Sequence, residues 1–323
     1  MQNNILNRVK RILILREISS FIKVFVVILV FFIISPLFLS KENIGVILEI
    51  IPELGIVALG VTMLLVTGEI DLSLGSVFCF CPIILASLIE KGMSFPLSFI
   101  VSLLLGIGIG YINGFITITF AIPSFITTLG TMLVWRGGVL LLTGGWPPFF
   151  PSGIPTWFLV GSVGILRMSL FWYAGLTVLM WFILERTDFG NWMFSTGGNP
   201  VAARAMGVDT GRVKIACFMI CSLLAGFAGI IQSFRLEATL PSMGTGLEMD
   251  AIAASVIGGT SLTGGMGTVI GTTIGSFVIR FIDNGLVMAR APSYWFRVFI
   301  GIVTIFAVIF NTYLRERTKR FRC

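Results

Sequence analysis

Of the 323 residues, 56% are hydrophobic and 11% are charged, less than half the ~25% charged residues of an ordinary soluble domain. The chain has no histidine, which excludes a His-based catalytic triad and an imidazole metal site. It also lacks a G-x-x-x-x-G-K-[ST] phosphate loop, so energy for any work must come from a partner or an ion gradient. With 37 glycines, 29 phenylalanines and a mean hydropathy of +1.01, the composition is that of closely packed membrane helices. The predicted fold class is all-α, a polytopic membrane protein.

Crossing the hydrocarbon takes about 20 apolar residues. Ten stretches qualify: 21–39, 44–66, 71–90, 95–118, 123–143, 169–185, 213–234, 247–260, 268–287 and 295–313. The first follows a basic stretch, but its apolar run is too long for a signal peptide, and no small-residue cleavage site follows Ser35-Pro36-Leu37. The fourth and fifth meet at Ile122-Pro123, because the residue before proline avoids the helical region. The eighth is short and flanked by glycine. Cys79 and Cys81 lie in one apolar run, Cys217 and Cys221 in another, and Cys323 is terminal. No C-x-x-C pair occurs, so the cysteines read as small hydrophobes.

Charge sets the direction. Arg8, Lys10, Arg11, Arg16 and Lys23 stand at the N-terminal end, and Arg186, Arg204, Arg212 and Lys214 in the 186–214 segment. Arg315, Arg317, Lys319, Arg320 and Arg322 end the chain, which makes 14 of the 22 basic residues. The opposite side carries Lys41, Lys91, Arg167, Arg235 and Arg290. The positive-inside rule places both termini and the 186–214 loop in the cytoplasm, in agreement with an even number of spans. The same rule accounts for the net charge of +7, so nucleic-acid binding is not implied.

Two places echo one another. Tyr111-Ile112-Asn113-Gly114 precedes Ile122-Pro123-Ser124-Phe125, and Ile282-Asp283-Asn284-Gly285 precedes Ala291-Pro292-Ser293-Tyr294. Gly/Ser-rich breaks at Gly68–Ser76 and Gly258–Gly267 form an apparent second pair. An inverted internal repeat would give this pattern, as would turn chemistry alone.

Glu69 and Asp71 lie between two apolar runs. A charge at bilayer depth costs about 2.5–3.5 kcal/mol on insertion scales, so these carboxylates belong at a helix end or beside a cavity. Asp71 suits the N-cap of the third span; a broken-helix junction beside a pathway is the sharper reading. Glu69, Asp71, Ser73, Asn113 and Asn284 are the candidate pathway residues. Glu49 with Glu53, Glu248 with Asp250, and Arg136, Arg280 and Asp283 are further polar groups in or near spans, suited to structural pairing. Titration of such a pair would instead mean ion coupling.

In the cytoplasmic loop, Gly198 and Asn199 precede Pro200-Val201-Ala202-Ala203-Arg204-Ala205-Met206-Gly207. Asn199 caps, Pro200 suits the first turn and Gly207 the left-handed stop, which predicts a helix of about two turns. So short a helix needs a surface to lie on. Its own membrane face and the groove of a cytoplasmic partner are both open.

The run Ala58–Thr62 through Gly68-Glu69-Ile70-Asp71-Leu72-Ser73-Leu74-Gly75-Ser76 resembles the G-G-I-D-L-S-x-G-S signature of sugar ABC-importer permeases of the ribose, xylose, arabinose, galactose and autoinducer type. Pro123–Thr131, Phe189-Gly190-Asn191, Thr196-Gly197-Gly198-Asn199, Ala202-Ala203, Gly207-Val208, Gly246–Ala254 and Gly258–Thr268 continue the resemblance, in order, across about 45–313. One departure is Glu69, which stands where the family has a second glycine.

The resemblance implies one transmembrane permease domain over residues 1–323, with a cytoplasmic N-tail 1–20, a coupling loop 186–212 and a C-tail 314–323. The location would be the bacterial inner membrane. It implies a second permease copy or a related permease, a cytoplasmic ATP-binding subunit, often of two fused halves, and a periplasmic or lipid-anchored sugar-binding protein. The protein would import a monosaccharide without being an enzyme, and without catalytic residues, metal or cofactor of its own. Gly198, Asn199, Pro200, Ala202, Ala203, Arg204 and Gly207 would form the ATPase-coupling element, where a ring at Ala203 would not enter a fitted groove. Arg167, Arg235 and Arg290 would meet acidic patches of the binding protein or be solvated loop charges. A permease of the same superfamily for nucleosides or branched-chain amino acids, or an ion-coupled secondary transporter, are the alternatives.

Overall fold

The computed structural model describes residues 16–150, 153–292 and 294–320. Arg8, Lys10, Arg11, Arg322 and Cys323 lie outside the described residues, and with them much of the two basic tails. Within the described residues the chain is helical, apart from a two-stranded turn that pairs β1 (Ser162–Val163) with β2 (Leu166–Arg167).

Each of the ten predicted spans falls on a helix. They are α1 (Arg16–Ile34), α2 (Lys41–Val66), α3 (Leu74–Glu90), α4 (Phe95–Thr119), α5 (Ser124–Thr143), α7 (Met168–Arg186), α10 (Thr210–Leu236), α11 (Leu247–Ile257), α12 (Val269–Met288) and α13 (Tyr294–Arg320). Among the described residues three shorter α-helices sit between them, α6 (Trp157–Val160), α8 (Asp188–Gly198) and α9 (Pro200–Ala205), together with one 3-10 turn, Pro36–Leu39. Five helices (α2, α4, α5, α7 and α10) are long and apolar enough to cross a membrane. The eleven residues of α11 reach only about 16 Å at 1.5 Å per residue, half of the ~30 Å hydrocarbon. The eighth predicted span is therefore a half-helix. Gly246 and Gly259 bound it, with φ of 85° and 97°, a region that costs glycine nothing.

α2 and α10 form the buried centre. α10 packs against α2, α3 and α4, and α2 packs also against α7, α11 and α12. In contrast, α4 and α5 keep most of their apolar side chains on the outside, as a lipid-facing helix does. Close approach in the centre depends on small residues. A Cβ at Gly60 would stand 2.9 Å from Cys221 Cα, and one at Gly114 2.9 Å from Ile215 Cα. A buried hydroxyl cluster joins three helices: Thr62 Oγ1 donates to Ser255 Oγ at 3.0 Å and lies against Thr272 Oγ1. Cys79, Cys81, Cys217 and Cys221 are buried free thiols.

The turn at Ile122-Pro123 lies where expected, between the end of α4 at Thr119 and the start of α5 at Ser124. The Asn-Gly echo also has a physical counterpart. In both copies the asparagine is buried and hydrogen-bonded, and the glycine admits a neighbour: Ile215 against Gly114, the Phe31 ring against Gly285. The pairing of the two Gly-rich breaks is corrected. Gly265 N–H donates to Val66 O at 2.8 Å, and Gly264 packs on Gly68. Contact alone does not decide the pairing, since broken helices of inverted repeats meet at the repeat interface. But Asn113 and Asn284 lie five spans apart and these breaks six, and an even offset repeats the direction instead of inverting it. By span order, the break corresponding to Gly68–Ser76 is the 237–246 segment.

Candidate functional site

Between α2 and α3 the chain runs without helix from Thr67 to Ser73. Irregular backbone at membrane depth is tolerated only where its polar groups are satisfied. Here α5 satisfies them: Ser124 Oγ accepts from Ile70 N–H at 3.2 Å, and Thr128 Oγ1 accepts from Leu72 N–H at 3.0 Å. Ser124 and Thr128 are one turn apart on one face of α5, so the extended segment climbs alongside that helix before α3 begins. Ser76 Oγ then donates to Met132 O at 2.9 Å, one turn higher.

Asp71, Ser73 and Asn113 form one buried cluster. Asp71 Oδ1 accepts from Ser73 N–H at 2.8 Å and Ser73 Oγ at 2.6 Å, and Asn113 Nδ2 donates to Ser73 Oγ at 2.8 Å and Asp71 Oδ2 at 3.3 Å. All three are 2% exposed or less, so they lock the junction to α4 and line no open space. The capping expectation for Asp71 shifts accordingly. The N-cap of α3 is Ser73, and the Asp71 carboxylate satisfies the amide of that residue. Asn284 is elsewhere: its Oδ1 accepts from Asn43 Nδ2 at 2.8 Å, which joins α12 to α2.

Glu69 parts company with its neighbours. It forms an ion pair with Lys214 of α10 and lines a cavity of about 700 Å³ with Thr117, Pro123, Pro200, Arg204 and Asp209. This cavity lies on the side of the 186–214 loop, between the α4–α5 turn and α9.

The loop helix is built as its residues require. Asn199 Oδ1 accepts from Ala202 N–H at 3.0 Å, Pro200 opens the helix and Gly207 takes φ 87°. Ala203, however, is buried at 4%, whereas Val201 is 73% and Met206 84% exposed. A ring at Ala203 would strike this chain's own loop, so the groove-facing expectation moves to Val201 and Met206. An alanine-rich helix of one and a half turns has no hydropathy contrast to reveal which side turns inward. Gly198 does not form an exposed patch of its own; it packs on Gly265, while a Cβ at Gly197 would overlap Val66 O.

Toward the other side a polar pocket of about 130 Å³ lies among α2, α3, α10, α11 and α12. Glu53, at the midpoint of α2 and 1% exposed, accepts from Arg235 Nε at 2.5 Å, Arg235 Nη2 at 3.1 Å and Gln232 Nε2 at 2.7 Å. This bidentate, charge-assisted arrangement is what makes a buried carboxylate tolerable. Arg167 pairs with Glu49 at 3.2 Å. Arg235 is thus engaged within the chain and largely covered, whereas Arg167 keeps 40% of its side chain exposed beside Glu49 and Arg290 is exposed. Arg280 pairs with Asp283 at 3.3 Å. Arg136 does not join them: it donates to Pro241 O and Met243 O at 2.9 Å and to Gly75 O at 3.1 Å. One guanidinium therefore satisfies carbonyls of both helix breaks.

Sequence reasoning missed Ser124 and Thr128 as acceptors, Arg136 as a bridge and Gln232 as a partner of Glu53. An arginine midway along an apolar helix was the available signal for Arg136; the two hydroxyls carried none, since a helical hydroxyl bonds the preceding turn by default.

Comparison with known proteins follows the same boundaries. The sequence pattern of the family described as branched-chain amino acid transport system / permease component matches residues 43–308. The autoinducer 2 import system permease protein of Photorhabdus luminescens is 35% identical over 306 residues, covering 93% of this chain and 91% of that one. That of Salmonella typhimurium is 36% identical over 284 residues, covering 88% and 82%. The ribose import permease protein of Escherichia coli K12 is 35% identical over 305 residues, covering 91% and 93%. No solved structure matches the chain. A match of this extent, over the helices and breaks described, makes the chain a member of the branched-chain amino acid transport system / permease component family.

Proposed function

We propose that the protein is the permease subunit of an ATP-driven importer that carries a monosaccharide, of pentose or hexose type, across the bacterial inner membrane. The observation that carries this reading is similarity over nine-tenths of both chains to permeases named for autoinducer 2 and ribose import. The polar lining of the pocket around Glu53 and Arg280 supports a hydroxylated substrate over a branched aliphatic one. An ATP-binding subunit on the cytoplasmic side and a binding protein on the other complete the system. The chain acts as one permease domain over 1–323, with both termini in the cytoplasm and a second permease, identical or related, beside it.

In this reading, Asn199 to Gly207 is the element seated in the ATPase. Val201 and Met206 are its docking side chains, and Ala203 anchors it to the permease. Substrate leaves through the cavity at Glu69 and Lys214, while Asp71, Ser73 and Asn113 hold the junction above it and Asn284 fixes α12 to α2. The test is co-purification and uptake with the paired substitution Val201→Asp and Met206→Asp. Both side chains are exposed, so the permease should accumulate normally, lose its ATPase in mild detergent and import at least about tenfold less sugar, the loss of two buried apolar anchors. Unchanged co-purification would sink the docking assignment. Uptake that continues without ATP and collapses with an ionophore would sink the importer reading itself.

A further inference from the structure

The small polar pocket holds charged groups whose bonding capacity is only partly used. Glu53 is fully engaged by Arg235 and Gln232. Two other groups are not. The Asp250 carboxylate makes no hydrogen bond or ion pair among the described residues. Arg280 meets Asp283 through Nη1 only, and its Nε is buried with no partner among the described residues. A charge inside the membrane is expensive, and one left without a partner is more so. Asp250 and Arg280 offset each other's charge through space, with Arg297 beside them, and the hydrogen-bonding capacity that both leave unused lines one cavity.

The chemistry of an occupant can be read from the wall. A carboxylate accepts from hydroxyl groups, and a guanidinium donates to hydroxyl and ring oxygens. The pocket also includes Phe78, whose apolar ring suits the C–H face of a sugar. A volume of about 130 Å³ equals about four waters at liquid density, room for one face of a sugar with its hydroxyls and not for a larger solute. Thr245, exposed, stands at the mouth. We propose that this pocket is a monosaccharide subsite inside the permease, with Asp250 accepting from sugar hydroxyls and Arg280 donating to sugar oxygens. The inference rests on the importer reading and adds to it a place within a single permease chain where the released sugar is held.

The test uses the complete importer, with its ATPase and binding protein, in vesicles. ATP-dependent uptake of D-ribose, D-xylose, L-arabinose, D-galactose and autoinducer 2 is measured with wild type, Asp250→Asn and Thr245→Trp. For the sugar that wild type imports, both variants should lose about tenfold or more in maximal rate, the effect of one charged hydrogen bond or a blocked mouth. ATPase stimulation by the loaded binding protein should remain. Asp250→Asn should also lose the preference of wild type for that sugar over its deoxy analogues, because a site built around a hydroxyl penalises its absence; a purely structural role would leave the preference intact. Thr245→Trp changes an exposed side chain and keeps the test open should Asp250→Asn fail to accumulate. Normal uptake by Thr245→Trp, or an unchanged deoxy preference in Asp250→Asn, overturns the subsite while the importer stands. Import by wild type of leucine and none of the sugars removes the importer reading, and the subsite with it.

Discussion

Ser124 and Thr128 show how two hydroxyls make a break in a membrane helix affordable. Ile70 and Leu72 have amides that the extended conformation leaves without a helical acceptor, and each finds an oxygen on α5. Thr128→Val keeps the shape and removes one acceptor, so it should cost about 1–3 kcal/mol, the penalty of a buried unpaired amide. Thr131→Val is the control, since the Thr131 hydroxyl donates only within its own helix, to Thr128 O. Thermal unfolding of the two variants in detergent should show a clear drop for the first and little change for the second; equal drops would mean that the amide of Leu72 is not at stake. Asp71, Ser73 and Asn113 stood out in the sequence as polar groups in apolar runs, but as pathway residues; that they bond one another and line no open space was not legible. Ser124 and Thr128 were not legible either, because a helical hydroxyl satisfies itself on the preceding turn by default and only the fold says which one accepts from elsewhere. The same limit applied to Arg235: its positive charge was plain, whereas its partner Glu53, 182 residues away, was not.

Helices of this protein meet backbone to backbone where glycine permits it, and the permission is specific to position. Gly108 and Gly110 stand two residues apart on α4. A Cβ at Gly108 would have nothing within 4 Å, whereas one at Gly110 would stand 2.5 Å from Phe218 O and 2.8 Å from Met219 Cα on α10. Gly110→Ala should therefore push α4 from α10 and destabilise by about 1–3 kcal/mol. Gly108→Ala should be neutral or stabilising by about 0.5–1 kcal/mol, through helix propensity. Melting temperatures that move in opposite directions would establish the contact; a parallel shift would disprove it. Apolar run length and proline position gave the ten helical segments and the turn at Pro123, because both act locally. The half-length of α11 was signalled by a short, glycine-flanked run, which still counted as a span because an apolar run reads alike whether it crosses or stops midway. What stops it is the backbone turn at Gly246 and Gly259, and glycine in a membrane segment serves packing as readily as turning.

For the whole molecule, orientation is the property on which every functional assignment depends, and it rests on the distribution of basic side chains. Arg167 and Arg235 form ion pairs with Glu49 and Glu53, and Lys41, Lys91, Arg290 and Arg297 are exposed cations at the same end of the bundle. On the loop side Lys214 and Arg212 are paired in the same way, with Glu69 and Asp209, so pairing leaves the difference between the two sides as the sequence has it. Two exposed apolar side chains mark the opposite ends of this axis: Trp146, after α5, at 79% and Met206, after α9, at 84% exposure. With α7 as the intervening crossing, they must face different compartments. A Cys323→Ser background leaves only the buried thiols Cys79, Cys81, Cys217 and Cys221, which a membrane-impermeant maleimide does not reach. Added to intact spheroplasts, that reagent should label Trp146→Cys at once and Met206→Cys only after permeabilisation. The reverse order would invert the protein, put the Glu69–Lys214 cavity outside and transfer the sugar pocket to the cytoplasmic side. Labelling of both from one side would mean that α7 does not cross, and the even number of spans would fail with it.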